Sequence, residues 1–194
     1  MKYYLLSYDY ENDDDYIIIT ANEIAEKYNY DMLKGENLES WNNDIEFYYS
    51  KDDGNILTDC LATDNRWLVV SEKFRNAIDK IACNSIQYLD IKIINKETNE
   101  INNTYKVANV ITVLDALDLK NSKYDLFELD DEKILSVEKY ALKRDKIKDY
   151  NIFKLKDDTI PTFVSEEFKN KVEENNLTGF QFLEVRVIGR LKIN

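Results

Sequence analysis

Apolar and polar positions alternate along much of the chain, and that alternation predicts strands. Tyr3 to Tyr8 is aromatic and β-prone, and Tyr16 to Thr20 is β-branched; the acidic run between them predicts two strands joined by a charged loop. Thr20-Ala21-Asn22-Glu23 has the spacing of a capping box, in which the hydroxyl accepts from the backbone at Glu23 and the carboxylate reaches back to Thr20. Ile24, Ala25 and Tyr28 follow at helical spacing, so a short helix is predicted over 21–28. Lys34-Gly35-Glu36-Asn37 predicts a turn, Ile45 to Tyr49 a strand, and Asp52-Asp53-Gly54-Asn55 a tight turn. Later, Tyr105 to Leu114 reads as a buried strand that ends in a turn ordered by Asp118 and Ser122. Ile134 to Leu142 and Asn151 to Leu155 are further predicted strands.

One pattern occurs twice. Residues 70–93, VSEKFRNAIDKIACNSIQYLDIKI, align without a gap to residues 164–187, VSEEFKNKVEENNLTGFQFLEVRV, at a constant offset of 94. Seven positions are identical: Val70/Val164, Ser71/Ser165, Glu72/Glu166, Phe74/Phe168, Asn76/Asn170, Gln87/Gln181 and Leu89/Leu183. A match of this length points to an internal repeat. In each copy a short apolar strand (Trp67 to Val70, Thr162 to Val164) ends at a Ser suited to cap a helix, and the Glu after it suits the positive end of the helix dipole. Phe74, Ala77, Ile78 and Ile81 make one apolar stripe, Phe168 and Val172 a shorter one. A polar turn and an alternating strand follow, Ile86 to Ile93 or Phe180 to Val187. Each unit, at about 67–93 and 161–187, is therefore strand, helix, strand. Outside the matched segment the halves do not align. The reading is an α+β fold: a mixed, largely antiparallel sheet with short helices, in one domain over 1–194.

Composition sharpens this. Hydrophobic residues make up 44% and aromatic ones 12%, enough for a real core, while one Pro and four Gly leave no linker. The opening Met1 to Asp9 turns acidic too early for a signal peptide, and no run approaches the roughly 20 apolar residues of a membrane span. A cytoplasmic protein is expected. Cys60 and Cys83 have no metal-ligand spacing and form no disulfide framework, so each is expected to be a buried structural thiol.

Charge is uneven. Residues 1–66 hold 5 Lys/Arg and 16 Asp/Glu, a net of −11 out of −12 for the whole chain. Such a surface repels nucleic acid and anionic membranes and draws a basic protein toward it. The chain has no histidine, which removes Ser-His-Asp and Cys-His catalysis and the common zinc ligand sets. Gly35, Gly54, Gly179 and Gly189 stand apart, so no glycine-rich loop cradles a phosphate. The run Asp9 to Asp15 lacks the turn glycine and distal Glu of a calcium loop. No catalytic residue, metal or cofactor is expected. The candidate partner-contact residues are Glu11, Asp13, Asp14, Asp15, Asp52 and Asp53, each of which also reads, taken singly, as solvated loop, and Trp41, either core or anchor. Nine of the 14 tyrosines fall within residues 1–49, where they would serve packing or an interface.

Three segments carry a family likeness: Tyr30 to Glu36 with Trp41 and Ile45 to Tyr49; Tyr105 to Val110 leading to Leu117-Asp118 and Ser122; and Phe163 to Phe168 with Leu177 to Phe182. Across nearly the whole chain the sequence resembles a family of immunity proteins from bacterial polymorphic-toxin systems, formerly a domain of unknown function and named after a myxobacterial representative. The resemblance implies a cytosolic, non-enzymatic inhibitor that binds a cognate toxin. If that toxin is a nuclease, its cleft is basic and the acidic first third would cover it. Two other readings stay open: an acidic adaptor or effector chaperone, and a carboxylate-based hydrolase, which needs two acids together in a pocket.

Overall fold

A computed structural model describes residues 1–9, 15–129 and 132–189. In chain order the elements are β1 (Tyr3–Tyr8), β2 (Ile18–Ala21), α1 (Glu23–Glu26), α2 (Asn29–Lys34), β3 (Glu46–Tyr49), β4 (Cys60–Thr63), β5 (Val69–Val70), α3 (Glu72–Ala82), β6 (Ile86–Asp90), β7 (Lys92–Asn95), β8 (Ile101–Asn102), β9 (Lys106–Val110) and β10 (Val113–Leu114). There follow β11 (Lys123–Leu129), β12 (Glu132–Lys139), β13 (Ala141–Lys143), α4 (Arg144–Ile147), β14 (Ile152–Leu155), β15 (Thr162–Ser165), α5 (Glu166–Glu174) and β16 (Phe180–Ile188). The fold is α+β, with mixed sheets and short helices.

The strand pairings form two closed circuits. In the first, β6 pairs with β9, β9 with β5, β5 with β4, β4 with β2 and β2 with β3. β3 then pairs with β7, which continues β6 after a break at Ile91, and the ring is closed. In the second, β16 pairs with β1, β1 with β15, β15 with β14 and β14 with β10. Leu117, just beyond β10, bridges to Leu142 of β13, and β13 pairs with β16. Each circuit is a small six-stranded barrel.

The two rings match strand for strand and in register. Val70 faces Lys106, which faces Asp90; in the second ring Val164 faces Tyr4, which faces Glu184. Cys60 faces Val70 as Ile152 faces Val164. The correspondence in register runs past the 24 residues that align in sequence. One strand is exchanged in chain order: the strand between the two parallel repeat strands is β9 in the first barrel but β1, from the chain's beginning, in the second.

Side-chain alternation sorts three cores. Ile19, Phe47, Leu61, Val69, Ile93 and Val107 fill the first barrel, and Tyr3, Leu117, Leu142, Phe153, Leu155 and Phe163 the second. The next residue along each repeat strand, Val70 or Val164, turns to a central layer where Phe74 and Ile78 of α3 meet Phe168 and Val172 of α5. The Phe74 and Phe168 rings lie 6.0 Å apart, both fully buried. Each such side chain contributes about 1.5–3 kcal/mol by leaving water.

The caps repeat as well. Ser71 accepts from Phe74 N and Ser165 from Phe168 N, both at 3.1 Å. Each hydroxyl also donates to the residue just before the neighbouring strand, Asp59 before β4 or Asn151 before β14. Those two residues then reach the opposite barrel: Thr178 N donates to Asp59 Oδ2 at 3.0 Å, and Asn151 Nδ2 donates to the Ile81 carbonyl at 3.1 Å.

Several expectations change. The first helix is capped by Asn22, which accepts from Ala25 N, not by Thr20; Thr20 lies in β2 opposite Tyr48. A second helix, α2, fills 29–34 and ends at Gly35 with φ +71. The strand predicted over 105–114 is two strands, β9 and β10, and β11 and α4 were not foreseen. Cys60 is buried, and burial pushes its thiol up to about 12. Cys83, at the C-cap of α3, is exposed and is not the buried thiol expected.

Candidate functional site

Two acidic loops of the first barrel are tied together. Asn55 Nδ2 donates to Asp15 Oδ1 at 2.6 Å, and the Asn55 and Ile56 amides donate to the Asp15 carbonyl at 2.8 and 3.0 Å. Gly54, with φ +116, sits so close beneath that a Cβ there would lie 2.7 Å from the Asp15 carbonyl oxygen. Only glycine fits this approach without strain. The arrangement sets Asp15 beside the turn that holds Asp52 and Asp53.

The carboxylates in this turn differ in what they do. Asp53 Oδ2 accepts from Ser50 N at 2.7 Å and Ser50 Oγ at 2.8 Å, closing a capping box over the 3₁₀ turn Lys51–Asp53. Asp53 is therefore occupied with local structure, whereas Asp52 is exposed. Glu11, Asp13 and Asp14 lie outside the described residues. Trp41 stands apart from these loops. Its Nε1 donates to the Asp90 carbonyl at 2.6 Å, and its ring lies 4.8 Å from Tyr28 and 5.8 Å from Trp67. Half-buried, it closes one side of the first barrel's core.

Sequence reasoning missed a cleft of about 360 Å³ at the seam between the barrels, lined by Asn29, Met32, Arg66, Trp67, Asn109 and Lys154 among others. Lys154 is buried, its Nζ donates to the Met32 carbonyl at 2.9 Å, and burial lowers its pKa to about 8. Asn109 is also buried; its Nδ2 donates to the Glu36 carbonyl and to Gln87 Oε1, which fastens the segment leading to Trp41. One carboxylate, Asp64, lines this cleft, and its Oδ1 is taken by the Ala21 and Asn65 amides. The pair of acids a carboxylate hydrolase needs is not assembled there. Nothing in the sequence marked Lys154, because its neighbours Phe153 and Leu155 read as an ordinary alternating strand.

A second feature the sequence reading reached only in part, through the strand predicted from Ile134, is the hairpin β11–β12. It pairs only with itself among the described residues, from Lys123 opposite Lys139 to Leu129 opposite Glu132. It occupies the position in the second barrel that α1 and α2 occupy in the first, between the bridge residue Leu117 and β13. Its base is braced: Ser122 Oγ donates to the Asp118 carbonyl at 2.8 Å and accepts from Ala141 N at 3.0 Å. Asp118 and Ser122 thus order a turn, as expected.

Among the described residues no group of three or more Cys, Asp or Glu side chains is arranged to hold a metal. No helix among them is long and apolar enough to cross a membrane. The family model described as "Immunity protein family (Imm11)" matches residues 3–187. No curated protein matches the chain.

Proposed function

The chain belongs to the immunity protein family (Imm11), and on that premise we propose that it binds a cognate bacterial toxin and neutralises it by covering the toxin's working surface. The observation that carries this reading is the family match along nearly the whole chain. The charge distribution supports its finer form. With −11 of the net charge in residues 1–66, which supply β2 to β4 of the first barrel and β1 of the second, this third of the chain would suit a basic cleft. Asp15 and exposed Asp52 lie on adjoining loops of the first barrel, next in sequence to Glu11, Asp13 and Asp14. In this reading the protein works in the cytoplasm as a non-enzymatic inhibitor, against a protein and not a nucleic acid or a membrane.

The test is a titration. The purified toxin domain encoded beside this chain is assayed for its own activity while the chain is added. Inhibition that reaches completion at a fixed stoichiometric ratio supports the reading. A stable complex with undiminished toxin activity would instead favour the adaptor or chaperone alternative.

A further inference from the structure

The hairpin β11–β12 departs from the economy of the rest of the fold. Elsewhere exposed apolar side chains such as Ile101 and Ile160 stand singly, and most of the large ones fill a barrel or the layer between barrels. Here Leu126 is 59%, Phe127 54% and Ile134 43% exposed. Phe127 and Ile134 are direct cross-strand partners on one face of the hairpin, and Leu126 faces Leu135 on the other. Leu135 and Val137 pack onto the second barrel, which anchors that face of the hairpin and leaves the Phe127–Ile134 pair on the opposite face to solvent. Neither outer edge pairs with another strand among the described residues. Such an apolar ladder in water is an unused contact surface.

The charges around it identify the occupant. Residues 123–139 hold six acidic side chains against three lysines. The flanking Asp125 and Glu128 are exposed, and the Lys123–Glu138 ion pair closes the base. A second copy of this chain would bring like charges together on a protein of net −12. A surface with an apolar socket rimmed by Lys and Arg would accept both the Phe127–Ile134 ladder and the carboxylates beside it. We propose that this hairpin is a docking arm for the cognate toxin, with Phe127 and Ile134 entering an apolar socket and Asp125 and Glu128 meeting its cationic rim. This rests on the immunity reading and adds a contact on the second barrel, separate from the acidic loops of the first.

Affinity for the purified toxin domain is measured for the wild-type chain, for Phe127→Ser/Ile134→Ser, and for Asp125→Lys/Glu128→Lys. The unfolding midpoint of each is followed in parallel, and all four side chains are exposed enough to change without loss of the fold. The first variant is expected to weaken binding at least about tenfold, as loss of an aromatic anchor does. The second is expected to weaken it at low salt and less so at high salt. Binding within twofold of wild type for the first variant would overturn the proposal and leave the immunity reading standing. A wild-type dimer that the first variant dissolves would also overturn it, by giving the ladder to a second copy. If the wild-type chain itself does not bind, the immunity reading fails and the proposed occupant with it.

Discussion

Lys154 shows at the level of one side chain how the fold tolerates a cost. It is buried with one carbonyl as its partner, and burial holds its pKa near 8 against an ordinary 10.5. Between those values the unfolded chain keeps the proton that the folded chain has released, so stability rises with pH across that window. The full difference corresponds to about 3 kcal/mol. Tyr3 and Tyr105, pushed up to about 12 by burial, act in the opposite sense above pH 10. Cys60, pushed by burial from 9.0 to about 12, does the same above pH 9, so the clean interval is pH 8 to 9. Comparing Lys154→Met with wild type by denaturant unfolding at several pH values should show wild type gaining stability relative to the variant. Parallel curves would refute the assignment. Gly179 carries a different demand. At φ +84, a Cβ there would lie 2.2 Å from the Cys60 carbonyl oxygen, so Gly179→Ala is expected to cost about 3 kcal/mol. A melting temperature unchanged from wild type would contradict the close approach of the two barrels at that point.

At the scale of elements, the cap serines test the repeat. Ser71→Ala and Ser165→Ala should each cost about 1 kcal/mol, and by similar amounts, because the hydrogen bonds at the two sites correspond one to one. A large cost at one site and none at the other in chemical denaturation would argue against equivalent roles. These helices were legible from the sequence because Ser, Glu and Phe fall at fixed offsets that capping and amphipathic packing both require. The first helix was legible only in part. Thr20 and Asn22 are both good caps, and pairing of Thr20 in β2 decides for Asn22. Hairpin β11–β12 was harder to foresee for a physical reason. Its apolar residues lie on both faces, so Lys123 to Leu129 lacks the one-sided alternation that marks a half-buried strand.

At the scale of the molecule, the fold class was readable, but the two barrels were not. Closure depends on β1 crossing from the chain's start into the second ring, where it stands as β9 does in the first. A linear comparison of the halves cannot register that exchange. The candidate site was legible as charge and not as geometry. Composition marked the acidic loops, yet it could not show that Asp53 caps a turn while its neighbour Asp52 remains exposed. That distinction matters for function. Asp53→Ala should lower stability by about 1 kcal/mol. Asp52→Lys should leave stability near wild type and weaken toxin binding most at low salt. If the toxin's affinity at low salt is unmoved by Asp52→Lys and by reversing Asp13, Asp14 and Asp15, the acidic loops of the first barrel are not part of the interface.

The most direct measurement of the central claim is growth of a sensitive host that expresses the toxin encoded next to this chain, with and without the chain itself. Rescue of growth together with recovery of a stoichiometric complex is the outcome expected of a neutralising immunity protein. Toxicity that persists despite ample folded protein, with no complex recovered, would contradict it.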